Sequence, residues 1–222
     1  MTDAQTVEPS SIFIKTLPVG PLSCNCTIIG NTETGDAIVI DPGGDADTLL
    51  KLLAEQNLSV RQILHTHAHF DHFLASGEMK RQTGATLALH REDKPLWEKL
   101  DVQCGYFGFE YDKTMPPPDH WLEHDEPIET VSGLSGQCLH TPGHTPGSMC
   151  FHFDTLNLLL GGDTLFRGSI GRTDLWGGDF NTIQRSIQQH LFSLDEATQV
   201  IAGHGRSTTI GYELEHNPYV SR

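Results

Sequence analysis

The chain has 222 residues, 37% of them hydrophobic, with 14 Lys plus Arg against 29 Asp plus Glu, a formal charge of −15 and 13 histidines. That length and apolar fraction suit one α/β domain able to bury a core without disulfides, and no stretch nears the roughly 20 apolar residues that cross a bilayer. No local basic patch offsets the acidic excess, which excludes a general affinity for nucleic acid.

The opening stretch, residues 1–11, is polar and carries neither the basic nor the apolar region of an export signal, so a cytoplasmic location is expected. Five scattered cysteines, Cys24, Cys26, Cys104, Cys138 and Cys150, predict reduced, buried thiols rather than a disulfide framework. Short apolar runs at 12–17, 26–30 and 37–41, separated by Gly and Asn breaks, predict a meander of strands. Asp45 is placed to cap a helix that carries Leu49, Leu50, Leu52 and Leu53 on one repeat. A strand at 60–64, a helix after Asp71 and a strand at 86–90 then set the rhythm of a layered α/β domain.

Residues 91–127 break that rhythm. Six aromatics between Trp97 and Trp121, together with the run Pro116-Pro117-Pro118, predict an extended, irregular segment that could cover a site as a flap. Strands resume at 137–141, 149–153 and 156–161. Asp179 is placed to cap a helix with Phe180, Ile183, Ile187 and Leu191 facing the core. A last strand at 199–202 and a short helix at 211–217 complete the chain.

The chemistry concentrates after the strand at 60–64, where His67-Ala68-His69-Phe70-Asp71-His72 packs three histidines and an aspartate into six positions. Residues two apart on an extended segment point the same way, so His67 and His69 can grip one cation while Asp71 and His72 turn toward another. The spacing differs from the helical His-Glu-x-x-His pattern of metalloproteases. Three isolated candidates could complete a pair of sites: His144 in a stiff Pro- and Gly-rich loop, Asp163 after Leu158-Leu159-Leu160-Gly161-Gly162, and His204 between Gly203 and Gly205. Each follows a predicted strand, and strand ends are where α/β folds assemble sites. His65 is expected to pack, and Asp41 to support the cluster from behind. The remaining histidines carry no spacing argument.

In this order, Asp41-Pro42-Gly43, the histidine cluster, the His144 loop, Gly162-Asp163-Thr164-Leu165-Phe166 and Gly203-His204-Gly205 resemble the metallo-β-lactamase superfamily over residues 12–219, and within it the type II glyoxalases, or hydroxyacylglutathione hydrolases. The resemblance implies a single domain over residues 1–222 with an αββα sandwich fold. It implies that His67, His69 and His144 hold one divalent ion, that Asp71, His72 and His204 hold a second, and that Asp163 bridges them. Zinc is the expected ion, with iron or manganese compatible with the same donors.

The activity it implies is hydrolysis of a small glutathione-derived thioester by metal-held hydroxide, with His67, His69, Asp71 and His72 at the catalytic centre and Arg172 anchoring an anionic group. The chain ends soon after Asn217-Pro218-Tyr219, so it is similar to short, single-domain members rather than to those with a helical C-terminal domain. Two alternatives stand beside this reading: a persulfide dioxygenase, which shares the fold and a Gly-Arg-Thr-Asp segment but uses one iron, and a metal-binding protein without catalysis.

Overall fold

The computed structural model describes residues 11–221, so the polar opening stretch lies almost wholly outside the described residues. Two six-stranded sheets form the centre. The first runs in order β1 (Ile12–Val19), β2 (Cys24–Asn31), β3 (Asp36–Ile40), β4 (Ser59–Leu64), β5 (Thr86–His90) and β6 (His120–Leu122). Its first three strands are the antiparallel meander expected, and β3 to β6 are parallel.

The second sheet is built from β7 (Pro127–Ile128), β8 (Gly136–His140), β9 (Met149–Phe153), β10 (Leu158–Gly162), β13 (Gln199–Ala202) and β14 (Thr208–Thr209), while β11 (Leu165–Phe166) and β12 (Ser169–Ile170) form a separate hairpin. The β10–β13 pair is parallel and its neighbours are antiparallel.

Alternation along single strands shows how the layers stack. On β3, Ile38 and Ile40 join a core that also contains Phe151, Phe153 and Leu160 of the second sheet. The intervening Ala37 and Val39 face a different core with Leu49, Leu53 and Met79, contributed by α1 (Ala46–Glu55) and α2 (Ser76–Thr83). On β10, Leu158 and Leu160 point to the shared core, while Leu159 packs with Ile183, Ile187 and Leu191 beyond the second sheet. Burial on both faces explains why these strands are continuous apolar runs rather than alternating ones. The result is the αββα sandwich, and among the described residues no helix is long and apolar enough to cross a membrane.

Several local expectations are corrected. Asp45 precedes α1, but its backbone is left-handed (φ 54°) and its side chain makes no capping bond; the carboxylate accepts the Gly20 amide at 2.8 Å instead. Only Leu49 and Leu53 of the α1 leucines are fully buried. Residues 91–127 are not irregular throughout: they contain α3 (Lys94–Trp97), α4 (Leu100–Phe107) and the edge strand β6. Tight packing of Leu96, Leu100 and Cys104 against Phe70 and Phe73 makes helix the better solution there.

Asp179 does cap α5 (Phe180–Ser186), accepting the Thr182 amide at 2.7 Å. Phe180, however, is 44% exposed. The helix winds on as a π-turn over Ile187–Leu191, which keeps Ile187 and Leu191 buried. The strand expected at 156–161 starts at Leu158, after a 3-10 turn over Asp154–Leu156. The last helix, α6, spans Ile210–His216.

Candidate metal centre

The histidine cluster occupies the turn leaving β4, with Phe70–His72 wound into a single 3-10 turn. His144 lies in the loop between β8 and β9, Asp163 just past β10, and His204 just past β13. All seven donors predicted from the sequence therefore meet at one edge of the sandwich.

They meet as two overlapping groups. His67 Nε2, His69 Nδ1 and His144 Nε2 form a triangle with sides of 3.0, 3.3 and 2.9 Å. Nitrogens held tetrahedrally at about 2.0–2.1 Å from one ion stand about 3.3 Å apart, so the triangle has the size of a metal's coordination face. In the second group His204 Nε2 is 3.1 Å from Asp71 Oδ2, which is 3.7 Å from His72 Nε2. Asp163 stands between the groups, with Oδ1 3.7 Å from His72 Nε2 and Oδ2 at 3.7 Å from His144 Nε2 and 3.8 Å from His204 Nε2.

Two observations test whether these side chains fit cations. His72 Nε2 and Asp163 Oδ1 are buried polar atoms with no hydrogen-bond partner, and both sit inside this array. Unpaired buried polar groups are costly, so a shared partner between them is expected. Burial also pushes the imidazoles of His67, His69 and His144 down, His69 to about 3, with the neighbouring histidines adding to the effect. Neutral imidazole is the form that binds a metal. Burial opposes ionisation of Asp71, but His72 and His204 outweigh it and hold the carboxyl down to about 2. Neutral rings at His67, His69 and His144 beside an ionised Asp71 suit a divalent ion. Burial of His72 and His204 is instead outweighed by neighbouring groups, Cys24 and Asp41 at His72 and Asp71 and Asp163 at His204, which raise both rings, so these two must give up a proton to bind one.

The far side of most rings is anchored, which fixes its orientation. His67 Nδ1 is 3.0 Å from Thr66 Oγ1 and His72 Nδ1 is 2.9 Å from Asp41 Oδ2. His144 Nδ1 is 2.8 Å from the Arg172 carbonyl, and His204 Nδ1 is 3.1 Å from the Leu22 carbonyl. Asp41 thus supports the cluster as expected, from a left-handed backbone (φ 51°) that turns its carboxylate toward Thr66 and His72. His65 packs as expected, stacked on Phe73 at 3.5 Å.

Arg172 lines the cleft beside the donor array. Its guanidinium makes a bidentate pair with Asp174, both contacts 2.8 Å, while its carbonyl orients His144. Sequence reasoning missed Asp93, Gln103 and Cys24. Asp93 is fully buried and binds the Ala68 and Gly147 amides. Gln103 of α4 spans the Phe70 amide and the Ala68 carbonyl, and Cys24 Sγ lies 3.4 Å from His72 Nδ1. None of the three sits in a motif: Asp93 lies in the charged run Arg91-Glu92-Asp93-Lys94, and neither Cys24 nor Gln103 has a spacing that sets it apart. The cysteines are free and buried, as expected.

A two-sheet sandwich with clustered imidazoles and carboxylates at one edge defines a metal-dependent hydrolase of the αββα class. The chain belongs to the Metallo-beta-lactamase superfamily, whose family model matches residues 19–204. It is 37% identical over 210 residues to the hydroxyacylglutathione hydrolase GloC of Haemophilus influenzae, covering 94% of this chain and 98% of that protein. Two solved structures superpose with a TM-score of 0.83 at 36% identity: the BLEG-1 B3 metallo-beta-lactamase, covering 95% of this chain and all of that one, and TTHA1623 in a di-iron-bound form, covering 94% of this chain and all of that one. ETHE1 from Myxococcus xanthus follows at 0.77 and 27% identity, over 93% of this chain and 83% of that one.

Proposed function

We propose that the chain is a two-metal thioester hydrolase acting on S-2-hydroxyacylglutathione-type substrates. In this reading His67, His69 and His144 hold one ion, Asp71, His72 and His204 the other, and Asp163 serves both. The observation that carries it is the position of Asp163, within 3.8 Å of donors from each group. The 37% identity to a hydroxyacylglutathione hydrolase supports the choice of thioester.

Two divalent ions supply Lewis acidity and a water ionised near neutral pH. The chain's own residues do the remaining work. The neutral imidazoles of His67, His69 and His144 leave their lone pairs available without first losing a proton. Asp71, ionised at neutral pH, can take up the proton released when water adds to the thioester carbon. The new bond is carbon to oxygen, the bond broken is carbon to sulfur, and the sulfur leaves as thiolate. Arg172, at the rim, offers a guanidinium to a carboxylate of the thiol portion in competition with Asp174. Zinc is the proposed ion, with iron or manganese suited to the same donors. Five reduced thiols fit a reducing compartment such as the cytoplasm.

A persulfide dioxygenase would use one iron held by two histidines and one aspartate; the second donor group here, Asp71, His72 and His204, favours two ions instead. Metal quantification coupled to thioester and persulfide assays tests the choice. Two ions per chain with thioester turnover are expected, and a His69→Ala variant should lose metal and about a thousandfold or more in rate. One iron per chain with oxygen uptake on a persulfide would overturn the assignment.

A further inference from the structure

The cleft over the candidate metal centre offers more apolar surface than a small hydroxyacyl group would use. It encloses about 580 Å³, with His69, Asp71, His144, Asp163 and His204 on its floor, a volume in the range of pockets that hold drug-sized ligands. One wall is α4, which presents Val102, Tyr106 and Phe107, and Leu175 and Trp176 also line the cleft. Tyr106 is 85% exposed and Trp176 63%, so large rings stand in water beside a concave site. Phe107 is held in place by stacking on Phe70 at 5.0 Å, and Phe70 lies within the histidine cluster.

Charge around the cleft argues in the same direction. Among the described residues Arg172 is the only Lys or Arg in the lining, and Asp174 already neutralises it. A ligand is thus offered apolar contact on its flanks and little net positive charge.

We infer that the cleft selects thioesters whose acyl group carries an aromatic ring or a branched alkyl chain, seated beside Tyr106 and Trp176. This rests on the thioesterase reading and adds to it the chemistry of the acyl portion. An apolar acyl group entering the cleft leaves water and covers the two rings as well, and offset or edge-on aromatic contact adds to simple burial. A lactoyl group brings only a methyl group to such contact.

S-phenyllactoylglutathione and S-lactoylglutathione differ by one phenyl group and share the same thiol, which makes them the probe. With the full chain loaded with zinc, kcat/KM for the phenyllactoyl ester should exceed that for the lactoyl ester by about tenfold or more, chiefly through KM. The Tyr106→Ala/Trp176→Ala double variant, altered at exposed positions that the core does not need, should cut that ratio by about fivefold or more.

Equal kcat/KM values in the unmodified chain, or a ratio the double variant leaves unmoved, would overturn the inference while thioester hydrolysis stands. A double variant that dissolves a dimer yet keeps the ratio would identify the patch as an interface between copies and overturn it likewise. No turnover of either ester with two ions bound would remove the thioesterase reading and this inference together.

Discussion

The carboxylate of Asp93 accepts the amide of Ala68 at 2.8 Å, at the residue between His67 and His69. The same side chain accepts the Gly147 amide and the Thr145 hydroxyl, at 2.6 and 2.9 Å, in the loop that carries His144. One buried carboxylate therefore locks together the two loops that supply the first donor triangle. Asp93→Asn keeps the shape but turns an NH2 toward one of three donors, leaving that donor unsatisfied at a cost of about 1–3 kcal/mol. The expected result is a lower denaturation midpoint and about 10- to 100-fold weaker metal binding, the range typical when a supporting partner is lost. Denaturant titration and competition with a chelator measure both, and unchanged metal affinity would show that the loops hold their register without Asp93.

Acid should weaken the fold through His90. Burial, with His140 stacked at 4.0 Å, pushes the His90 imidazole down from 6.5 to about 4. A histidine depressed in the folded state takes its proton more readily when unfolded. Its contribution is thus complete above pH 6.5 and is lost as pH falls toward 4. At about 1.4 kcal/mol per pH unit, a drop from 6.5 to about 4 is worth at most about 3 kcal/mol. Subtracting the stability of a His90→Gln variant from that of the unmodified chain across this window isolates the effect. A difference independent of pH would contradict it.

Much of this molecule is legible in its residues, for identifiable reasons. Ile38-Val39-Ile40 and Leu158-Leu159-Leu160 announce strands buried on both faces, and the two outer cores confirm why no polar position interrupts them. The donors were readable because four lie in six consecutive positions and the other three each follow a strand. What escaped was context that only tertiary structure supplies. Asp93 is an isolated carboxylate in a charged stretch, and its importance comes from two distant loops closing over it. Helix α4 contains Gly105 and aromatics that look unhelical, and its helical form reflects packing of Leu100 and Cys104 against Phe70 and Phe73. Asp45 has the right residue type for a cap, but its backbone is left-handed and the Gly20 amide claims its carboxylate.

Asp174 restrains the guanidinium that would otherwise be free at the rim of the cleft. Both members are more than half exposed, so the pair is worth at most about 1 kcal/mol in water. Asp174→Asn removes the competing carboxylate and should lower KM for a glutathione thioester by about two- to fivefold, with a steeper dependence on salt. Steady-state kinetics at two ionic strengths would show it. An unchanged KM and salt response would mean that Arg172 acts only through its carbonyl on His144.

Gly203 allows no side chain. A methyl group there would collide with Asp163 Oδ1 and approach His72 Cε1 at 3.0 Å. The backbone cannot retreat, because the Gly203 amide donates to the Gly162 carbonyl at 2.7 Å and its carbonyl accepts the Asn25 amide at 2.7 Å. Gly203→Ala must therefore displace the carboxylate proposed to serve both ions, while the hydrophobic cores, which lie elsewhere, stay intact. The expected variant is folded, with a melting temperature within about 5 °C of the parent, yet holds one ion instead of two and turns over thioester about a hundredfold more slowly or worse. Metal quantification on the purified variant, beside its circular dichroism, decides the matter. Two tightly held ions and near-parental turnover would mean that Asp163 can shift without loss, and that its place between the two donor groups is not what the chemistry uses.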